Sequence, residues 1–231
     1  SDDPGSTWRQ ADTRGLPELG EAHFTNSLAV DPANPDRLVL GVSGDGSAGG
    51  GVYLSDDAGQ SWRKLADGWS DDAFFNASIW VIGPELAWSN DGTLLAMSQS
   101  SRRVLRWTDA AGRWEPVNAN LTDGPNAIVA SPAAKGRFYI AGKSGGLLRS
   151  DDAGRTWQRV WDGQAYHVAC DAKGRVAIGT DDGVVLGGPD NQFRLLDQSY
   201  PNRVRPVLTF AGDRLIIGTP GNGMFWTDLD R

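Results

Sequence analysis

One eight-residue pattern, Ser-x-Asp-x-Gly-x-(Thr/Ser)-Trp, occurs three times and constrains the fold more than any other feature of the chain. It reads SDDPGSTW at 1–8, SDDAGQSW at 55–62 and SDDAGRTW at 150–157, and we call these the box windows. They start 54 and then 95 residues apart, and the second spacing is close to two units of about 47 residues. A period in the forties between strand-like segments is typical of the blades of a β-propeller.

The chemistry of the box windows is that of a tight turn. Gly59 and Gly154 supply the positive φ that such a turn needs. Asp57 and Asp152, like Asp3 in the first window, can accept hydrogen bonds from backbone N–H groups of the turn. The tryptophans that follow, Trp62 and Trp157, can pack between neighbouring sheets. These residues are therefore interpreted as structural rather than catalytic.

Strand patterns with period 2 run through the chain and predict an all-β fold. We expect a single domain over 1–231, a closed five-bladed propeller with four antiparallel strands per blade. The blades cover approximately 25–66, 83–117, 125–160, 164–196 and 204–230, the last completed by an N-terminal strand at 6–10. Closure would remove exposed sheet edges. A fragment of a larger propeller, or a truncated or engineered scaffold, is the alternative.

The box windows resemble the Asp-box, or BNR repeat. That repeat is found in sialidases, xyloglucanase-type glycoside hydrolases, sortilin-like receptor domains and photosystem II assembly factors. The resemblance implies a propeller in which each box lies on a hairpin away from the ligand face. It also implies an extracytoplasmic or secreted protein, although the sequence itself leaves the compartment unknown. No Phe-Arg-Ile-Pro segment and no clear arginine triad of the sialidase kind is present, so no single activity is implied.

Composition excludes several classes of function. The net charge is −7 and no Lys/Arg cluster exceeds a pair such as Arg102-Arg103, which argues against a nucleic-acid partner. No apolar run reaches the roughly 18 residues of a membrane span. We expect no metal, because no calcium-loop motif is present and histidine is scarce. We also expect a monomer without a cofactor. The single Cys170 is interpreted as a buried free thiol.

The loops that lead from one blade into the next are the first place to look for a site. The segment Ala66–Gly83 is long for a connection inside a compact domain. It combines acids with aromatic rings, a mixture that suits a sugar; the candidate ligand-binding residues are Trp69, Asp72, Phe74 and Trp80, and Asp71 is a catalytic candidate. Alternatively, these aromatic rings cap the core or meet a neighbouring chain.

The innermost strands, which line the channel, give a second set of candidates. Aligning these strands puts one residue of each blade at an equivalent position, namely Ser27, Glu85, Ala127, His167 and Pro206. Asn126, Tyr166 and Arg205 fall just before it and are further candidates for ligand binding. Glu85 or His167 would act as general acid or base, and Arg205 would bind an anion or hydroxyl. Alternatively, Glu85 and His167 only bond to backbone and water in the channel.

Two classes of function remain open at this point. The first is a non-catalytic binding module that recognises a carbohydrate or a protein partner on the blade-connecting loops. The second is a glycoside hydrolase acting on a polysaccharide or glycan, which requires two carboxylates across the scissile bond. No spacing in the sequence selects such a pair, since the candidate acids lie on different blades.

Overall fold

The computed structural model describes residues 3, 5–17, 24–43, 50–65, 85–98, 102–117, 121, 124–196, 200–201 and 204–229. Every regular element in these ranges is a β-strand. The strands form five separate antiparallel sheets in chain order, four with four strands and the last with three. The predicted all-β propeller with five blades is confirmed.

Each blade is a meander of consecutive strands, with the first strand innermost. Blade one contains β1 (Phe24–Asp31), β2 (Asn34–Ser43), β3 (Gly51–Ser55) and β4 (Arg63–Lys64). Blade two contains β5 (Glu85–Trp88), β6 (Leu94–Ser98), β7 (Arg103–Thr108) and β8 (Arg113–Val117). Blade three contains β9 (Pro125–Ala130), β10 (Phe138–Gly142), β11 (Gly146–Ser150) and β12 (Gln158–Trp161). Blade four contains β13 (His167–Cys170), β14 (Val176–Thr180), β15 (Gly183–Gly187) and β16 (Phe193–Leu195), and blade five contains β17 (Val207–Ala211), β18 (Arg214–Thr219) and β19 (Gly223–Asp228).

The hydrophobic core is divided into layers between successive blades. Successive residues of a strand point to opposite faces of the sheet, so a middle strand needs apolar residues at every position. In β6, Leu94 packs toward blade one while Leu95 packs toward blade three. Four such layers join blades one to two, two to three, three to four and four to five. The continuous apolar runs in the sequence therefore reflect burial on both faces.

The windows 55–62 and 150–157 form the hairpins that the turn chemistry indicates. Asp152 Oδ1 accepts a hydrogen bond from Thr156 N at 2.8 Å, and its Oδ2 accepts one from Thr156 Oγ1 at 2.6 Å. Gly154 has a φ of +79°. Asp57 makes the same two bonds with Ser61, and these bonds lower its pKa to about 2. Both oxygens of each carboxylate are thus occupied by the hairpin itself.

Closure of the ring by the N-terminal strand is not confirmed. Residues 7–10 form no strand, and β19 pairs only with β18 among the described residues. The N-terminal segment instead contacts blade one, where Trp62 N donates to Arg14 O at 2.9 Å. No buried apolar cluster of the described residues joins blade five to blade one. Apolar side chains on these two blades are exposed accordingly, including Leu28 (59%), Val207 (60%) and Trp226 (64%).

Candidate functional site

The two faces of the propeller differ in what they carry. We call the face where the innermost strands begin the loop face; it also holds the short turns between β10 and β11 and between β14 and β15. The opposite face holds the windows 55–62 and 150–157, and we call it the box face. The candidate residues Glu85, Tyr166, His167 and Arg205 all belong to the loop face, at or just before the start of an innermost strand.

A cavity of about 350 Å³ lies between the innermost strands, and we call it the channel cavity. Its polar lining includes Ser27, Glu85 and His167, one from each of three blades. The rest of the lining is largely apolar and includes Ala127 and Leu208. Aligning the five innermost strands of the chain by sequence predicted that Glu85 and His167 lie at equivalent positions, and both line the same cavity.

The three polar residues share a structural role, because each accepts a hydrogen bond from the backbone of the next blade. Ser27 Oγ accepts from Leu86 N at 3.0 Å. Glu85 Oε2 accepts from Ile128 N at 3.2 Å, and His167 Nδ1 accepts from Leu208 N at 3.3 Å. In blade three the link is made by Asn126, whose Nδ2 donates to Ala165 O at 2.8 Å. The predicted ligand-binding residue Asn126 thus connects blades three and four.

The alignment of the fifth blade is shifted by one residue from the sequence prediction. In the sheets, Ser27 pairs with Gly41, His167 with Gly179 and Val207 with Gly218. The equivalent residue in blade five is therefore Val207 rather than Pro206. The prediction was wrong there because Pro206 precedes β17, and a proline has no N–H to contribute to a sheet.

Burial determines the protonation of the two titratable groups in the channel cavity. Burial raises the pKa of Glu85 from 4.5 to about 7, and the hydrogen bond from Ile128 N offsets only part of this effect. Burial lowers the pKa of His167. Because Nδ1 of His167 accepts a hydrogen bond, the neutral ring carries its proton on Nε2. Burial therefore shifts both groups toward their neutral forms.

Arg205 does not reach the channel cavity but forms a cluster at the rim of the loop face, which we call the rim cluster. Its Nε donates to Asp181 Oδ1 at 2.9 Å and its Nη2 to Tyr166 OH at 3.2 Å. Tyr166 OH in turn donates to Asp181 Oδ2 at 2.8 Å. The guanidinium carbon lies 4.1 Å from the centre of the Tyr166 ring. Asp181 was not among the site residues predicted from the sequence; its position directly after β14, on the same face, was the available signal.

The backbone of the rim cluster is strained at one position. Arg205 has a φ of +51°, a conformation that costs a residue with a side chain about 1–3 kcal/mol. Arg205 N donates to Thr180 O at 2.9 Å, which holds this conformation. Hydrogen bonds from Arg205 and Tyr166 lower the pKa of Asp181, so the carboxylate stays ionised and keeps the guanidinium in place. Yet the Arg205 side chain is 53% exposed.

Other candidates lie elsewhere. Trp69, Asp71, Asp72, Phe74 and Trp80 are outside the described residues. Asp3, Asp57, Trp62, Asp152 and Trp157 belong to the box windows. Burial raises the pKa of the Cys170 thiol to about 12, and its Sγ donates to Ala130 O at 3.4 Å, which makes it a poor nucleophile. Within the described ranges no three His, Cys, Asp or Glu residues are grouped to hold a metal, and no helix could cross a membrane.

Comparison with known proteins gives relatives of several kinds. No protein-family model matches the chain. The chain is 25% identical to sortilin of Rattus norvegicus over 218 residues, covering 75% of the chain and 25% of sortilin. It is 28% identical to a xyloglucanase of Paenibacillus sp. over 126 residues, covering 48% of the chain and 12% of that enzyme. The chain thus spans a quarter or less of these curated relatives, and the predicted resemblance to sortilin-like and xyloglucanase-type propellers is confirmed.

Solved structures share the fold at lower identity. YCF48 from Cyanidioschyzon merolae superposes with a TM-score of 0.68 and 16% identity, covering 93% of this chain and 70% of that one. A nidogen/laminin complex gives a TM-score of 0.67 and 14% identity, with 90% and 77% covered. A structure of YCF48 bound to a D1 peptide gives a TM-score of 0.63 and 13% identity, with 94% and 72% covered. These likenesses concern the fold alone.

Proposed function

We propose that the chain is a non-catalytic binding module that holds an extended polypeptide segment of a partner protein across its loop face. The observation that carries the proposal is the rim cluster, in which Arg205 is fixed by Asp181 and Tyr166 and is still about half exposed. A side chain fixed before binding loses little conformational entropy when a ligand arrives. Its backbone strain is of the kind that accumulates at binding sites.

The donor pattern of the rim cluster favours a polypeptide. A guanidinium has five N–H donors, and the bonds to Asp181 and Tyr166 occupy only some of them. Since Asp181 balances its charge, Arg205 suits neutral acceptors such as the carbonyl oxygens that an extended peptide offers at every residue. Two solved structures with this fold, the YCF48–D1 peptide and nidogen/laminin complexes, contain protein or peptide partners and support this class of ligand. A glycan, which offers hydroxyl groups, is the other ligand class that the loop face could accept.

A display library of linear peptides, selected on the purified chain, tests the proposal. Selected peptides should bind Arg205→Ala at least about tenfold more weakly, because truncating a central interface arginine commonly costs more than 1 kcal/mol. Arg155→Ala is the matched control, since Arg155 is exposed on the box face. Selected peptides whose affinity is unchanged by Arg205→Ala, or lowered by Arg155→Ala, would contradict the proposal.

A glycoside hydrolase is the second candidate, and the raised pKa of Glu85 favours it. A carboxylic acid that remains protonated near neutral pH can act as a general acid. However, Glu85 is the only carboxylate among the described residues that line the channel cavity, whereas glycosidases use two carboxylates. Release of reducing ends from xyloglucan and other polysaccharides, abolished in Glu85→Gln, would favour this candidate over the binding module.

A further inference from the structure

We propose that the channel cavity is a binding site for a cationic side chain, a lysine ammonium or an arginine guanidinium, which forms an ion pair with the Glu85 carboxylate. The inference rests on the proposed function, since the partner polypeptide would present this side chain from the loop face. Glu85 is the first residue of β5 and lines the cavity. Its Oε2 accepts a hydrogen bond from Ile128 N, while the other oxygen has no partner among the described residues.

No described residue that lines the channel cavity supplies a positive charge to this carboxylate. In the described lining, β1 presents the hydroxyl of Ser27, and β13 presents the neutral His167 and the thiol of Cys170. From β17 comes the hydroxyl of Thr209, and the lining residues of β9 are apolar. His167 cannot become a cation without losing the hydrogen bond that its Nδ1 accepts. A buried carboxylate without a counter-ion is unfavourable, and a ligand cation would provide the missing charge.

The shape and composition of the channel cavity suit a long cationic side chain. Its volume of about 350 Å³ is at the lower end of small-ligand sites, which span about 300–1,000 Å³. Ala127, Leu208 and Phe210 provide apolar walls for a methylene stem. An anion would be repelled by ionised Glu85, whereas the net charge of −7 attracts cations generally. The only guanidinium of the rim cluster is already paired with Asp181, so it does not compete for Glu85.

Three blocked pentapeptides that differ only at the central residue, Gly-Gly-Lys-Gly-Gly and its Arg and Gln forms, test the inference. Affinity is measured at pH 8.5 by NMR titration of the full chain with ¹³C-labelled glutamate carboxyls. The Lys and Arg peptides should bind at least about tenfold more tightly than the Gln peptide. At pH 5.5 their affinity should fall toward that of the Gln peptide, by at most about thirtyfold, because a group with a pKa of about 7 is then ionised in about one molecule in thirty.

The Glu85 resonance gives an independent readout, because a bound cation should lower the pKa of Glu85 toward its ordinary value. In Glu85→Gln the preference for Lys and Arg peptides over the Gln peptide should vanish. Glu115→Gln is the matched control: Glu115 lies on the outermost strand β8 and is already paired with Arg113, so the preference should persist.

Equal binding of the Lys and Gln peptides, or a preference that survives in Glu85→Gln, would overturn the inference. Different results would refute the proposed function and the cation site. Library peptides that need Arg205 but lack Lys and Arg, and that bind Glu85→Gln normally, would leave the binding module standing without the cation site. A Glu85-dependent preference for the Lys pentapeptide, combined with library peptides indifferent to Arg205→Ala, would leave the cation site standing without the rim interaction.

Discussion

Replacing Glu85 by glutamine should stabilise the protein at alkaline pH, although glutamate is the residue that the fold uses to connect blades two and three. The amide oxygen of glutamine can still accept the hydrogen bond from Ile128 N, so the substitution removes only the charge. With a folded pKa of about 7 and an ordinary value of 4.5, Glu85 is protonated in the folded chain and ionised in the unfolded chain between these pH values. The unfolded state then binds fewer protons, and the free energy of unfolding falls as pH rises.

The size of the effect follows from the two pKa values. The stability that protonated Glu85 contributes is fully present below pH 4.5 and is lost as pH rises through 7. At about 1.36 kcal/mol per pKa unit, a rise from 4.5 to about 7 corresponds to at most about 3.4 kcal/mol. Water in the open channel reduces this, and we expect about 2–3 kcal/mol, or about 4–12 °C in Tm for a domain of this size.

Urea unfolding of the wild type and Glu85→Gln at pH 4.5, 6, 7 and 8.5 measures this effect. The difference in free energy of unfolding between the two proteins should grow in favour of the variant up to about pH 7 and then level off. Comparing the proteins at each pH cancels the titration of all other groups. Glu115→Gln is again the control, because a hydrogen bond from Arg113 lowers the pKa of Glu115. This variant should therefore gain no stability at alkaline pH. A difference that does not vary with pH would refute the reasoning.

Three further predictions concern stability and reactivity. His167→Leu should destabilise the chain by about 1–3 kcal/mol because Leu208 N loses its acceptor, whereas His167→Gln should retain most of the stability. In the wild type, burial lowers the pKa of His167, so the neutral ring contributes stability that is lost as pH falls below about 6.5. Gly146→Ala should lower Tm strongly, because φ is +71° and the new Cβ would lie 2.1 Å from a carbonyl oxygen of β12, whereas Gly145→Ala meets nothing within 4 Å and should be neutral. Cys170 should react with a thiol reagent at pH 8 at least about tenfold more slowly in the native chain than in urea, since burial raises its pKa to about 12; equal rates would contradict this.

The fold class could be predicted because its determinants are local. Each box window carries its own turn chemistry, and Asp57 and Asp152 bond within four residues of themselves. The period of the strands requires only that apolar side chains alternate between two faces. Such patterns persist in the sequence regardless of what lies on the other side of the ring.

The candidate site was only partly accessible to the same reasoning. Glu85 and His167 could be brought together because repeats place equivalent residues at equivalent depths in the channel. Arg205 and Asp181 could not be paired in advance, since their hydrogen bond joins the start of one blade to a turn of another, 24 residues away. In blade five the sequence alignment chose Pro206, one residue before the structurally equivalent Val207, and a shift of one residue along a strand changes which face a side chain points to.

The sequence by itself determined the repeat, the turns and the alternation of strands, because these depend on residues that are close together along the chain. The tertiary structure alone decided which charges meet, how deeply Glu85 is buried, and that the backbone of the N-terminal segment bonds to blade one at Trp62. Burial and charge pairing are properties of a three-dimensional neighbourhood. They are set by the relative placement of blades, and no local pattern of residues encodes it.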